Sequence, residues 1–212
     1  MTEKEWATQT DVRKMLVFLE ERHSDRKARL FACSMGRSIW PFLGDERSQR
    51  VIEIAENYVD GLATEYELNI AHGASLDAIR GVPSRLASTS GDRHAWQGAR
   101  LAVISLQQSQ IDRSAKDWIA RAADRSRLFV QCIFGDPFRP VRIDPDWLSW
   151  RESTVEKLAQ TIYDNRRFDL LPILADALHE AGCCDDAILG HCRGPNDHVR
   201  GCWVVDAILG KQ

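Results

Sequence analysis

What the chain lacks narrows it first. No stretch of its 212 residues approaches the roughly 18 consecutive apolar side chains of a membrane-spanning helix. The N-terminus, MTEKEW, is polar and acidic with no apolar segment behind it, so no secretion signal is read there. There is no excess of basic charge: Lys+Arg 28 against Asp+Glu 31 leaves −3, which argues against a general nucleic-acid binder. No segment alternates apolar and polar residues with period two, the pattern of a half-buried strand. No pair of cysteines has the C-x₂-C spacing of the familiar zinc motifs.

What is present is helical punctuation. Thr10-Asp11 starts a segment carrying Val12, Met15, Leu16 and Leu19 at helical spacing, and Ser24-Asp25 starts another through Leu30, Phe31, Cys33, Met35 and Ile39 to Pro41. Asp45 caps a third. Thr64 with Glu67 has capping-box spacing and predicts a helix to about His72. Residues 81–92 (GVPSRLASTSGD) read as a flexible loop, rich in Gly, Pro and Ser. Helices over 93–110 and 114–134 follow, the second stopped by Gly135-Asp136-Pro137. Residues 135–150 form an irregular Pro-rich connector laid over neighbouring helices, with Asp144-Pro145 suited to start a short turn. Ser153 and Glu156 make a second capping box. Asp169 caps a helix with Pro172 in its first turn and Gly182 at its end, Asp185 starts a short helix to Cys192, and Asn196 or Asp197 caps a last helix over 198–209. The reading is all-α: one domain over 1–212, a bundle of eight to ten helices, with a Cys/His-rich helical hairpin at 183–209.

Three blocks of the chain resemble a family abundant in planctomycete bacteria: SDRKARLFACSMGRSIW, IFGDPFRPVRIDPDWLSW, and AGCCDDAILGHCRGPNDHVRGCWVVDAILGK. They span most of the chain outside residues 64–125. The resemblance brings no established activity with it. One departure stands out: Ser34, Met35 and Gly36 occupy positions after Cys33 where that pattern carries cysteines, which counts against a thiol site on this helix.

The tail from Gly182 to Gln212 concentrates the chemistry, with Cys183, Cys184, Cys192, Cys202, His191 and His198. His198 and Cys202 are four apart, so on a helix they share a face and can share an ion. His191 precedes the Gly194-Pro195 turn and Cys183 lies one short helix earlier. His191, His198, Cys202 and Cys183 are therefore the expected metal ligands, and the imidazole–thiolate mixture suits Zn²⁺. A second pair, His179 and Cys183, has the same spacing. Six cysteines without a secretion signal point to reduced thiols in a cytoplasm. Buried core thiols are the competing explanation, since Cys202 sits beside Trp203 and Val205.

Three functions fit this tail. A zinc held by three side chains could activate water to hydrolyse an ester or phosphoester. The tail could instead be a structural clamp in a non-catalytic protein-interaction module. The third is a Cys-His-Asp thiol hydrolase with Cys192, His198 and Asp206 as candidate catalytic residues. The partner is expected to be a small molecule or a protein, not a membrane or a nucleic acid. Arg22, Arg26, Lys27 and Arg29, with Arg193 and Arg200, could bind a carboxylate or phosphate. Pairing with acids such as Glu20, Glu21 and Asp25 explains the same charges.

Overall fold

A computed structural model describes residues 1–107, 116–195 and 197–211. Among them the chain is all-α, with twelve helices and no strand. That exceeds the eight to ten expected, because short segments at 3–8 and 82–88 also close into helices. No helix among the described residues is long and apolar enough to cross a membrane. Contacts gather into two compact units, Met1–Gln131 and Cys132–Gln212.

The first unit contains α1 (Glu3–Thr8), α2 (Val12–Glu20), α3 (Asp25–Ser38), α4 (Glu46–Tyr58), α5 (Glu65–Asp77), α6 (Val82–Ser88), α7 (Ala95–Gln107) and most of α8 (Lys116–Phe134). Its central element is α3. Every residue from Ala28 to Gly36 is buried, because α4, α6 and α7 pack around it. A helix apolar on one face needs one neighbour, whereas one buried all round needs several. Polar groups on α3 are therefore satisfied internally. Arg37 makes a bidentate pair with buried Glu56 (3.2 and 2.7 Å) and lies over the Trp40 ring. Arg29, only 5% exposed, donates to the carbonyls of Ser90 and Asp92 at 2.9 and 2.8 Å. Arg26 pairs with Asp60, and Arg22 with Glu21. Arg22, Arg26 and Arg29 of the expected basic cluster thus each have a partner within the chain.

The capping box at Thr64 forms as expected, with both reciprocal bonds present. The expected loop at 81–92 does not. It is α6 followed by a 3-10 turn over Thr89–Gly91. The hydroxyls that suggested a loop turn back onto the helix: Ser84 donates to Gly81 O, Ser88 to Arg85 O, and Thr89 to Leu86 O. Pro83 sits in the first turn, where its missing N–H is tolerated. Leu86 and Ala87 are then fully buried, and Arg29 locks the turn that follows. The expected helix limits at Gln110 and Ser114 lie outside the described residues.

The second unit contains the last turn of α8, then α9 (Pro145–Asn165), α10 (Leu171–Glu180), α11 (Asp186–Arg193) and α12 (Trp203–Ile208). Its core is built from Val155, Ala159, Ile162, Tyr163, Leu174 and Leu178, with Ile188, Val204 and Ile208 from the tail. The Pro-rich connector does lie over packed helices, with Val141, Ile143 and Trp147 against this core. It is shorter than expected: Asp144 caps α9, whose first residue is Pro145. The element breaks at Trp150–Ser153, where Arg151, Glu152 and Ser153 adopt left-handed backbone (φ 42°, 60° and 60°). Such a run is strained for side chains with a Cβ. Asp169 does not cap α10. It lies in a 3-10 turn paired to Arg167 at 2.8 Å, and Leu170 is the N-cap, with Pro172 in the first turn.

Candidate metal centre

Local rules place the tail side chains one by one. α10 ends in a Schellman motif: Gly182 has φ +98°, its N–H bonds His179 O, and the N–H of Cys183 bonds Leu178 O. That closure turns Cys183 into the core, where its exposure is 0%. Asp185 then caps α11, its carboxylate accepting from the N–H groups of Ala187 and Ile188. Ile188 and Cys192 are four apart and form the core face of α11. His191 is about 100° away around the helix and faces elsewhere.

The final helix starts later than expected. Residues 197–202 are not helical, and α12 begins at Trp203 with Cys202 as its N-cap. Asn196, one of the expected caps, lies outside the described residues. His198 and Cys202 are therefore not two positions on one helical face. A turn brings them together instead: Cys202 N–H donates to Val199 O at 3.0 Å, and Gly201 at its third position has φ +92°. That positive φ is what a type II turn requires and what glycine supplies without strain.

The result is a four-residue cluster in the second unit: Cys132, His191, His198 and Cys202. One ligand atom from each lies within 4.8 Å of every other. His191 Nε2 is 3.3 Å from Cys202 Sγ, and His198 Nδ1 is 3.7 Å from Cys132 Sγ. Zn–S near 2.3 Å and Zn–N near 2.0–2.1 Å imply tetrahedral edges of about 3.3–3.8 Å. Those two edges already have that length. Both cysteines are 1% exposed and both histidines half-buried. The imidazoles meet edge to face at 4.7 Å between centroids, and the Trp203 ring covers His191 at 5.1 Å. Trp203 fits because Gly135 lies beneath it; a Cβ there would stand 3.2 Å from Trp203 Cγ.

The electrostatics of the cluster suit a cation. His198 turns Nδ1 towards Cys132 Sγ, while its Nε2 is buried without a hydrogen-bond partner. The thiols are also unequal. Burial alone would raise Cys202, but hydrogen bonds from Cys132, His191 and His198 outweigh it and hold this thiol well below its ordinary range. Burial, then the bond and charge of Cys202, push Cys132 up. The cluster stabilises one thiolate unaided, and a divalent cation would favour the second.

Of the four expected ligands, the structure brings together His191, His198 and Cys202. Cys183 is not among them, and neither is His179. Cys132 takes the fourth place. Sequence reasoning missed it because it lies 66 residues from His198, inside the apolar run LFVQCIF, with no local spacing signal. The candidate triad is not assembled around Cys192. That thiol is fully buried, and burial pushes it well above its usual range, opposite to what a nucleophile needs. Asp206 is buried in the first turn of α12, its N–H bonded to Cys202 O. Arg193 pairs with Asp176 at 2.9 Å, and Arg200 lies over the Tyr163 ring. Comparison with protein-family models, with curated proteins and with solved structures finds no match for this chain.

Proposed function

We propose that this protein is a zinc-binding helical protein in which Cys132, His191, His198 and Cys202 form a closed structural clamp. The convergence of four soft ligand atoms within 4.8 Å carries the reading. Two thiolates and two imidazoles are the donor set of structural zinc, and together with Zn²⁺ they are neutral overall, which suits a mostly buried site. Hydrolysis of an ester or phosphoester would need only three protein ligands and an open position for water. A fourth converging side chain supports the clamp over the hydrolase. The function served is then holding the end of α8 against the tail in a non-catalytic protein that acts through its surface.

The test is metal content and geometry. One zinc per chain is expected by elemental analysis, with cobalt substitution giving the visible spectrum of a tetrahedral thiolate site. Metal-free protein as purified, unable to take up zinc while fully folded, overturns the proposal. Zinc-dependent turnover of p-nitrophenyl acetate or bis-p-nitrophenyl phosphate, lost with the metal, would move the assignment to the hydrolase.

A further inference from the structure

A cavity of about 510 Å³ in the first unit, half open to solvent, has an apolar floor and a rim of mixed charge. Val12, Val103 and Leu106, each 3–6% exposed, form the floor. Asp11, Asp124 and Arg127 stand on the rim. The volume falls in the range of small-molecule sites, about 300–1,000 Å³, which typically pair apolar walls with a few placed polar groups.

The rim charges do not satisfy one another. Arg127 donates through one Nη to Ala7 O at the end of α1, at 3.2 Å, while its Nε is buried with no hydrogen-bond partner. It makes no ion pair with Asp11 or Asp124, although Asp124 lies one turn away on the same side of α8. Asp11 uses Oδ1 both to cap α2 through Arg13 N–H at 3.0 Å and to pair with Arg13 Nε at 3.7 Å. A guanidinium on a cavity rim that bonds one backbone carbonyl and no carboxylate has further donors to offer, and carboxylate is its best match. Exposed Asp124 has no cationic partner among the described residues and Asp11 has only Arg13, so the same rim suits a cation.

We propose that this cavity binds a small apolar zwitterion of the α-amino-acid class. Its carboxylate accepts from Arg127, its ammonium faces Asp11 and Asp124, and its apolar side chain lies on Val12, Val103 and Leu106. The site is independent of the metal cluster, so either assignment stands if the other fails.

Titration calorimetry on the full chain with its metal retained tests this, using L-leucine and L-phenylalanine as probes. Saturable binding is expected for at least one of them. 4-Methyl-2-oxopentanoate, which lacks the ammonium, and isopentylamine, which lacks the carboxylate, should each bind about 10–100-fold more weakly, the worth of one charge-assisted hydrogen bond. Arg127→Met should weaken the amino acid by a similar factor. Asp124→Asn alters an exposed side chain, keeps the fold, and should still weaken binding several-fold. The absence of saturable binding by either amino acid at about 10 mM, beyond the usual 1 μM–1 mM metabolite range, overturns the proposal. So does isopentylamine binding as tightly as leucine, or unchanged affinity in both variants.

Discussion

Replacing Cys132 by alanine tests the clamp most directly, because this ligand comes from α8 rather than from the tail. The substitution has two separable costs. Removing one buried sulfur costs about 1 kcal/mol in lost packing. Removing one of four ligands acts through linkage: a site filled at a thousand times its dissociation constant adds about 4.1 kcal/mol to stability, and a hundredfold weaker site forfeits about 2.7 of that. The sum, about 3–4 kcal/mol, corresponds to a fall in Tm of roughly 7–14 °C for a chain of this size. Cys192→Ala is the matched control, since Cys192 is equally buried but outside the cluster. It should lose only about 2–4 °C and keep its zinc. Melting curves with and without added zinc, alongside metal analysis, separate the terms. If Cys132→Ala retains one tightly bound metal per chain, or melts like Cys192→Ala at every zinc concentration, Cys132 is not a ligand and the clamp is refuted.

Three further outcomes follow from the first unit. Gly98→Ala would put a Cβ 2.4 Å from the backbone oxygen of Thr89, whereas Gly36→Ala meets the mobile end of Ile52 at 2.7 Å, so the first should cost about 1–3 kcal/mol more in chemical denaturation. Arg37→Met strips buried Glu56 of its bidentate partner, and a loss on the order of 3 kcal/mol is expected; a near-neutral effect would show that other groups already neutralise that carboxylate. The Cys33 thiol is pushed up to about 12, by burial first and by the nearby Glu56 charge second. The unfolded thiol ionises near 8.5 while the native one stays neutral, so this stabilisation is complete below pH 8.5 and lost as pH rises towards 12. Urea midpoints should therefore fall between pH 8 and 10, and less steeply in Cys33→Ala; equal slopes would sink the account.

The helices were legible at most positions where a local rule governs one, although the capping box read at Ser153 and Glu156 does not form, Ser153 having φ 60° inside α9. The capping box at Thr64, the N-caps at Asp11, Asp45, Asp144 and Asp185, and the glycine stop at Gly182 are each settled within a few residues of chain. The failures arise where another partner overrides the local signal, distant at residues 81–92 and only two residues away at Asp169. Ser84, Ser88 and Thr89 looked like loop residues until α6 packed among its neighbours with Leu86 buried and Arg29 reached across from 61 residues away to hold Ser90. Asp169 looked like a cap, but Arg167 holds its carboxylate instead.

The candidate metal site divides along the same line. The clustering of His191, His198 and Cys202 around the Gly194-Pro195 break was present in the sequence, because a break and a tight turn keep near neighbours near. Their geometry was not, since the turn at Gly201, rather than a helical face, brings His198 to Cys202. Which cysteine completes the set was decided only in three dimensions. Cys183 is closer in sequence, but the Schellman closure at Gly182 turns it into the core. Cys132 is 66 residues from His198, yet packing of the last turn of α8 against the tail brings its sulfur to 3.7 Å from the imidazole. Local backbone rules act over a few residues and can be read from order alone. Tetrahedral coordination requires four atoms to converge in space, and only the burial of apolar faces from separate helices creates that convergence.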